Sequence, residues 1–454
     1  MKCNNINIHN ALSASYRFDP SYHLSDAISF RYLQQKLPYE KVPIRNVVER
    51  VFLGNIFSRI FVKDKEYGVP YLAASDTVLA NLDTNRYLSK KQSQELSYLK
   101  LHKGWILITC SGTIGNVIFT NSEFEDRIAT HDLIRVIPDD SKMLKGVLYA
   151  YLASKFGYCQ LTQSRFGGVV KHINAEHVYD ITIPLFPKDL QIKINDLIQE
   201  SSKLREEASD KLKEAQNLIL HELCVNISKR NFGKVSISSI IQSHNSRFDA
   251  NFHISEGADI ERYLWSHYKC KPLGNLCTSI SRPNIFKRYY VNHGITFLGG
   301  ADIFLATPNS DKQLSKKKTE NINDLLIEEG TILLPRSGTI GNVAWVHAGH
   351  AQKLASEHVI RLKPNDILRG GYLFAFLSTS IGRSLIQKYI FGSVIQHIEA
   401  PHLSLIPIPV LDDKIISRAH DNVITYSKNM GEAIKKESQA IALIEQEIES
   451  WNKK

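Results

Sequence analysis

The residues of this chain best suited to chemistry are small, polar and flanked by glycine. Ser111-Gly112-Thr113-Ile114-Gly115-Asn116-Val117 recurs letter for letter as Ser337-Gly338-Thr339-Ile340-Gly341-Asn342-Val343, with Arg336 just before the second copy. Hydroxyls and backbone amides around glycines can hold an anion. The spacing is not that of a nucleotide-binding loop, GxxxxGK[ST], and no Lys follows the second Gly. The segment therefore reads as a tight β-turn with glycines at positive φ. Ser111, Thr113, Ser337 and Thr339 are placed to touch a phosphate or a neighbouring element.

A second repeated segment follows each turn. Phe166-Gly167-Gly168-Val169-Val170-Lys171-His172-Ile173 returns as Phe391-Gly392-Ser393-Val394-Ile395-Gln396-His397-Ile398. Arg165 and Lys171 cluster in the first copy, Lys388 and Gln396 in the second. Such side chains can contact phosphates or base edges. The repeated histidines, His172 with His397 and His177 with His402, read instead as caps or bridges inside the lobe. Lys90-Lys91 and Lys316-Lys317-Lys318 lie in polar stretches and form basic loops that could meet a phosphate backbone.

Catalytic signatures are missing. There is no Walker pair, no NPPY or DPPY, no FxGxG loop and no HExxH. His221-Glu222 lacks the second His four residues after the first, and no carboxylate cluster suggests a metal site. The six cysteines are scattered, form no CxxC pair and do not repeat, so reduced thiols in a cytoplasmic protein are expected. No catalytic residue and no metal ligand is assigned.

Around these segments the whole first half of the chain is echoed by the second. Arg17-Phe18-Asp19 and His23 return as Arg247-Phe248-Asp249 and His253. Asn55-Ile56-Phe57 with Arg59 returns as Asn284-Ile285-Phe286 with Arg288. Ile134-Arg135 returns as Ile360-Arg361, and Ile183-Pro184 as Ile408-Pro409. A repeat this long means two whole domains rather than a solenoid. Within each, Ser25–Lys36 and Gly257–Tyr268 predict an early helix. Trp105–Thr109 and Thr331–Leu334 predict strands running into the glycine turns, with short strands beyond at Val117 and Val343. Ile134–Ile137 and Val359–Leu362 predict a further strand, and Leu148–Phe156 and Leu373–Ile381 a helix. The lobes are α+β.

After each lobe comes a long amphipathic stretch. From Asp189 to Val225 there is no Pro or Gly, and Leu190, Ile194, Leu197, Leu204, Ala208, Leu212, Ala215, Ile219 and Leu223 make a seam. From Asp412 to Trp451 the seam is Ile416, Ala419, Val423, Tyr426, Met430, Ala433, Ala440 and Ile444, broken at Glu437. Such seams belong to coiled coils. Each helix would be about 55–60 Å long at 1.5 Å per residue. Antiparallel packing of the two would give a pseudo-two-fold particle with lobes at the ends of a rod; the alternative is that each helix folds back on its own lobe. The expected division is lobe 1–186, helix 187–231, lobe 232–410, helix 411–454.

The net charge of +10 is unevenly placed. Residues 1–186 carry +5 and residues 232–410 carry +6, whereas the two helical stretches together carry −1. Basic lobes suit a polyanionic partner. No run of some eighteen apolar residues predicts a membrane span, and residues 1–10 lack the pattern of a signal peptide.

With these features assembled, the chain resembles the specificity subunit of type I restriction-modification systems. The features that carry the resemblance are the RFD-xxx-H openings, the strand–SGTIGN–V turns, the FGxV-xxHI-xxxH segments, the IP endings and a helix after each lobe. The resemblance implies two target recognition domains and two conserved-region helices forming an antiparallel coiled coil. It implies that each lobe reads one half-site of a split double-stranded DNA sequence, the rod exceeding the ~34 Å of a duplex turn. Two methyltransferase subunits would dock on the helices and methylate adenine by base flipping. Restriction subunits would add ATP-driven translocation and cleavage. This chain would bind no cofactor itself; AdoMet, ATP and Mg would sit on partner subunits. The stretches 63–100 and 292–330, where the copies differ most, would set the words read. A stand-alone DNA-binding regulator, or a protein scaffold built from the same lobes, are the competing readings.

Overall fold

The structure, a computed structural model, describes residues 36–451 except 112–113, 164–171, 226–232 and 393; before residue 36 it describes only residues 8, 23, 28, 30, 33 and 34. The chain divides into two compact units. One comprises residues 1–206 with 432–454, the other residues 207–431.

In the first unit, β1 (Lys41–Pro43), β2 (Val48–Phe52), β3 (Phe61–Val62), β4 (Gly68–Leu72) and β5 (Tyr87–Ser89) precede the helix α1 (Lys90–Glu95). Then come β6 (Ile106–Thr109), β7 (Val117–Phe119), β8 (Ile128–Ala129) and β9 (Leu133–Pro138), the helices α2 (Lys145–Ala153) and α3 (Lys155–Gln163), and β10 (Thr182–Pro184). One sheet has the order β2-β9-β6-β7, all antiparallel; a second has β3-β5-β4-β8, its last pair parallel. β1 and β10 clasp the start of the lobe to its Ile183-Pro184 end. The continuous apolar run of β6 follows from burial on both faces. Ile106 and Ile108 join a core with Leu148, Leu152 and Phe156, while Leu107 joins a second core with Leu72, Phe124 and Leu133.

The long helix α4 (Lys188–Leu223) links the units. In the second unit, α5 (Ala250–Ile254) and α6 (Glu256–His267) precede β11 (Cys270–Pro272), β12 (Cys277–Ser281), β13 (Tyr290–Leu298), β14 (Gln313–Leu314) and β15 (Ile332–Pro335). There follow β16 (Ala344–Trp345), β17 (Leu354–Ala355), β18 (Val359–Pro364), α7 (Gly370–Ser378), α8 (Ser380–Lys388), β19 (Pro407–Pro409) and the long α9 (Asp413–Ser450). The first lobe's topology recurs: β12-β18-β15-β16, then β14-β13-β17 with a parallel last pair, and the β11–β19 clasp. Here β13 alone fills the place that β3 and β4 share, and its register shifts between Tyr290 and Ile295. The α+β class expected from the sequence is what the chain adopts.

The strands fall where alternation and β-branching place them, within one or two residues. The helices at Leu148 and Leu373 are each two helices. Thr379 is extended between α7 and α8; its hydroxyl donates to Phe376 O (2.6 Å) and accepts from Gly382 N (3.1 Å), capping α8. Ser154 does the same between α2 and α3. A Ser or Thr with Gly three residues later is the local signal for the break.

Each long helix contributes to both units. In the first, Ile194 and Ile198 of α4 share a core with Ala440, Ile444 and Ile448 of α9, and Ser201 Oγ donates to Ala433 O (2.8 Å). The seam break at Glu437 is a polar knot: Arg205 meets the carboxylate at 2.5 Å, and the buried Tyr149 hydroxyl donates to it. In the second unit, Glu207 accepts from Asn429 (3.4 Å) and Glu214 from Arg418 (2.6 Å), so the paired segments run antiparallel. All eight apolar positions of the α9 seam are buried. Lobe and helix also meet through backbone amides: Gly146 N donates to Asn195 Oδ1 (3.2 Å), and in the second unit Gly371 N donates to His420 Nδ1 (3.1 Å). Among the described residues no helix is long and apolar enough to cross a membrane.

Candidate nucleic-acid interface

Each glycine turn closes a β-hairpin and rests on the second helix of the pair beside it. In the first unit, Gly115 N donates to Thr109 O (3.0 Å) and Asn116 N to Thr109 Oγ1 (3.1 Å). Gly115 has φ +90°, and a Cβ there would stand 3.0 Å from Tyr158 of α3. In the second, Gly341 has φ +110°, and a Cβ would stand 3.0 Å from Arg383 and 3.2 Å from Gln387 of α8. Gln387 Nε2 reaches Ile340 O (3.4 Å). Both glycines are required twice over, by backbone sign and by close approach.

The turn and the FG segment, separate in sequence, are brought together. Ser111 pairs with His172 in an isolated β-bridge, and Ile173 N donates to Cys110 O (3.2 Å). The same happens at Ser337 and His397, with Ile398 N on Arg336 O (3.0 Å). Phe391 and His397 exchange both backbone hydrogen bonds (2.9 and 2.8 Å), so residues 391–397 form a loop. It carries exposed Val394, Ile395 and Gln396, and Thr339 of the bridged turn is exposed as well. Asn174 caps a short helix by accepting from His177 N (3.0 Å), and His177 Nδ1 accepts in return from Asn174 N (3.2 Å), an internal capping role of the kind expected of it. Thr113, Arg165 and Lys171 lie outside the described residues.

The lysine turns belong to the other sheet. Lys90 and Lys91 open α1 rather than lying in a loop, and Ser89 caps that helix through Gln92 N (3.3 Å). Lys316, Lys317 and Lys318 form a turn in which Ser315 Oγ accepts from Lys318 N (3.3 Å). All five ammonium groups are on exposed residues. Ser89 N donates to Ile60 O (2.9 Å) and Ser315 N to Tyr289 O (2.9 Å). Each turn is thereby tied to the chain just beyond its Asn-Ile-Phe segment.

Two cations expected at the surface are engaged within the second lobe. Lys388 is 5% exposed, ion-paired with Glu261, and lies over the rings of Phe252 (4.3 Å) and Tyr389 (4.7 Å). Burial first, and the Arg247 guanidinium second, pull its pKa down to about 8; the Glu261 carboxylate opposes both. Arg336 Nε donates to Glu399 at 2.6 Å, and Arg282 holds the other oxygen at 3.1 Å. Burial raises the Glu399 pKa, but the two arginines outweigh it and hold the carboxyl below its usual value. Lys388 is a packing residue, and Arg336 positions the chain between β15 and the FG loop.

The repeated RFD-xxx-H motif is a latch. Arg247 donates to the carbonyls of Tyr389 (3.1 Å) and Ile390 (2.6 Å), just past the end of α8. Asp249 pairs with Arg247 and caps α5 through Phe252 N (3.0 Å), and His253 Nε2 donates to Arg247 O (2.6 Å). Its spacing marked the repeat, but nothing in one sequence separates a latch from a contact site. The first copy's Arg17, Phe18 and Asp19 lie outside the described residues.

A profile described as the type I restriction modification DNA specificity domain matches residues 38–214 and again 266–437. Among solved structures, the type I restriction-modification S subunit from M. genitalium is 14% identical, with 91% of this chain and 96% of that one covered and a TM-score of 0.37. The HsdS subunit from Thermoanaerobacter tengcongensis is 13% identical over 91% and 97%, with a TM-score of 0.28. A structure described by complex assembly and conformational transition of the type I system is 12% identical over 92% and 97%, with a TM-score of 0.27. No curated protein matches the chain significantly.

Proposed function

We infer the function from a family fact: this chain belongs to the type I restriction modification DNA specificity family. Its role is DNA specificity. Each lobe reads one half of a split double-stranded site, and the helices α4 and α9 dock two methyltransferase subunits, with restriction subunits joining that assembly. The chain supplies the address and performs no catalysis. AdoMet, ATP and Mg belong to the partners.

The observation that carries this reading is the duplicated surface. In each unit a cluster of exposed lysines is pinned to an exposed loop, and the glycine turn is bridged to the repeated histidine, His172 or His397. Lysines at a phosphate backbone provide register and affinity, and neighbouring side chains provide sequence. The contact set assigned to DNA is Lys90, Lys91, Ser111, Lys316, Lys317, Lys318, Ser337, Thr339 and Gln396. Lys388 and Arg336 act behind it.

The test is adenine methylation mapping in cells that express the chain with its neighbouring methyltransferase, and in cells that lack the chain. Methylation at one split motif, lost without the chain, is expected. Methylation independent of the chain would overturn the reading and favour a regulator or a scaffold.

A further inference from the structure

One apolar residue stands out on each lobe in the same place. Asn55-Ile56-Phe57 and Asn284-Ile285-Phe286 are equivalent. Phe57 packs against the cluster of Tyr71 and Leu88, and Phe286 against that of Phe297 and Leu314. The isoleucine between does the opposite: Ile56 is 85% exposed and Ile285 is 81% exposed. A single exposed Ile needs no explanation. Two at equivalent positions do, because burial does not hold them there and, apart from Asn55, Phe57 and Arg59, the nearest residues have diverged. Leu53, Gly54, Ser58 and Ile60 stand where the second copy has Arg282, Pro283, Lys287 and Tyr289.

The tips are held firmly. In the first lobe Gln92 of α1 takes Ile60 N (3.0 Å) and gives its amide to Ser58 O (2.5 Å). Arg59 reaches back to the Tyr71 hydroxyl (2.6 Å) and Thr130 (3.2 Å). In the second, Arg288 pairs with Glu357 at 2.6 Å. The Gln92 and Ser89 hydrogen bonds to the 58–60 segment tie the helix that begins with Lys90 and Lys91 to the first tip, and Ser315 N, donating to Tyr289 O (2.9 Å), ties the Lys316–Lys318 turn to the second. An apolar point flanked by ammonium groups matches a partner that is anionic outside and apolar within. Duplex nucleic acid has that construction.

We propose that Ile56 and Ile285 are wedges, each entering the base stack of its own half-site and partly unstacking one step. The proposal rests on the specificity reading above. Wedging works on any flexible step, which is why one residue type serves two lobes that read different words. The lysines supply phosphate contacts that hold the tip in place, and the diverged neighbours supply the sequence preference.

The experiment uses the chain assembled with its methyltransferase subunits. The duplexes carry the mapped split motif, with 2-aminopurine placed in turn at each half-site step away from the methylated adenine. Binding should raise fluorescence at one step per half-site. Ile56→Ser should abolish the rise in one half-site only, and Ile285→Ser in the other. Each should weaken binding about tenfold, the scale of one mismatched base pair. Ile56→Phe should keep the rise, and the dependence of binding on salt should not change. A rise that persists in both Ser variants overturns the wedge. So does weakened assembly with the methyltransferase, read by native mass spectrometry, which would give the tip to a protein partner. A wild-type assembly that binds no DNA is a different failure, of the specificity reading itself.

Discussion

Arg135 and Arg361 are equivalent residues of the two lobes, and each directs its buried guanidinium at backbone carbonyls. Arg135 donates to Leu133 O (2.9 Å), Ala129 O (3.0 Å) and Thr130 O (3.1 Å). Arg361 donates to Val359 O (2.7 Å) and Ala355 O (2.7 Å), with Ser356 O at 3.4 Å. Those carbonyls lie at the short strand and turn that lead into β9 or β18. The arginine stands in for partners that a longer sheet would have supplied. Burial lowers both pKa values to about 10, which still leaves the groups charged at neutral pH.

Arg361→Met should therefore destabilise the second unit by about 4 kcal/mol, since several carbonyls lose charged donors worth roughly 1.5–3 kcal/mol each and only partly relax. Arg361→Lys should recover less than half, because one ammonium cannot replace the fork. Hydrogen exchange of β15 and β18 peptides measures this locally. Protection unchanged in the Met variant would show that the carbonyls find other partners.

Acid should loosen the second unit through His350. Its Nε2 donates to Ile303 O at 2.9 Å, and burial, with Lys353 adding to it, lowers its pKa from 6.5 to about 4. Between these values the unfolded chain holds a proton that the folded chain does not. Stability is thus complete above pH 6.5 and falls as pH drops toward 4, by about 3 kcal/mol at 1.36 kcal/mol per pKa unit. Urea titrations at pH 7 and pH 4.5 should show the loss, and His350→Asn should flatten it. An equal pH slope in the variant would assign the loss to other groups.

Much of this was legible in the sequence, for a physical reason. β6 and β15 are apolar runs because they are buried on both faces, and α4 and α9 keep seams because one stripe is covered. Period and composition report burial directly. The break between α7 and α8 was missed because a hydroxyl cap at Thr379 interrupts no apolar pattern. The burial of Lys388 was missed because a sequence shows charge but not the facing Glu261 and Phe252 that accept it. The Ser337–His397 pairing joins residues 60 positions apart, which no local rule reaches.

The glycine turns should tolerate no side chain on the helix side. Gly341→Ala combines φ +110° with a methyl 3.0 Å from Arg383, a cost of about 1–3 kcal/mol. The strain is confined to one hairpin, so the chain should stay folded while the second lobe's half-site is read poorly. Methylation mapping would show partial loss of motif fidelity on one side only. Symmetric loss on both sides would mean that the turn acts through the whole chain.

The lysines give the sharpest contrast, because two classes of cation in one lobe should fail differently. Lys316, Lys317 and Lys318 are exposed, so replacing each with Ala should leave stability within about 0.5 kcal/mol. Every phosphate that a variant no longer neutralises should instead reduce the slope of log K against log salt by about 0.9, evenly across DNA sequences. Lys388→Ala should do the reverse. Removing a buried ammonium leaves Glu261 uncompensated, at about 3–5 kcal/mol, while the salt slope of whatever remains folded is unchanged. Lys388→Met, which fills the space over Phe252 and Tyr389, with Glu261→Gln to remove the stranded charge, should restore most of that stability. Binding titrations of the assembled complex across a range of salt, set beside melting curves of the same variants, separate the two. A reduced slope for Lys388→Ala at full stability would put that residue on the DNA, and an unchanged slope for the triple variant would take the 316–318 turn off it.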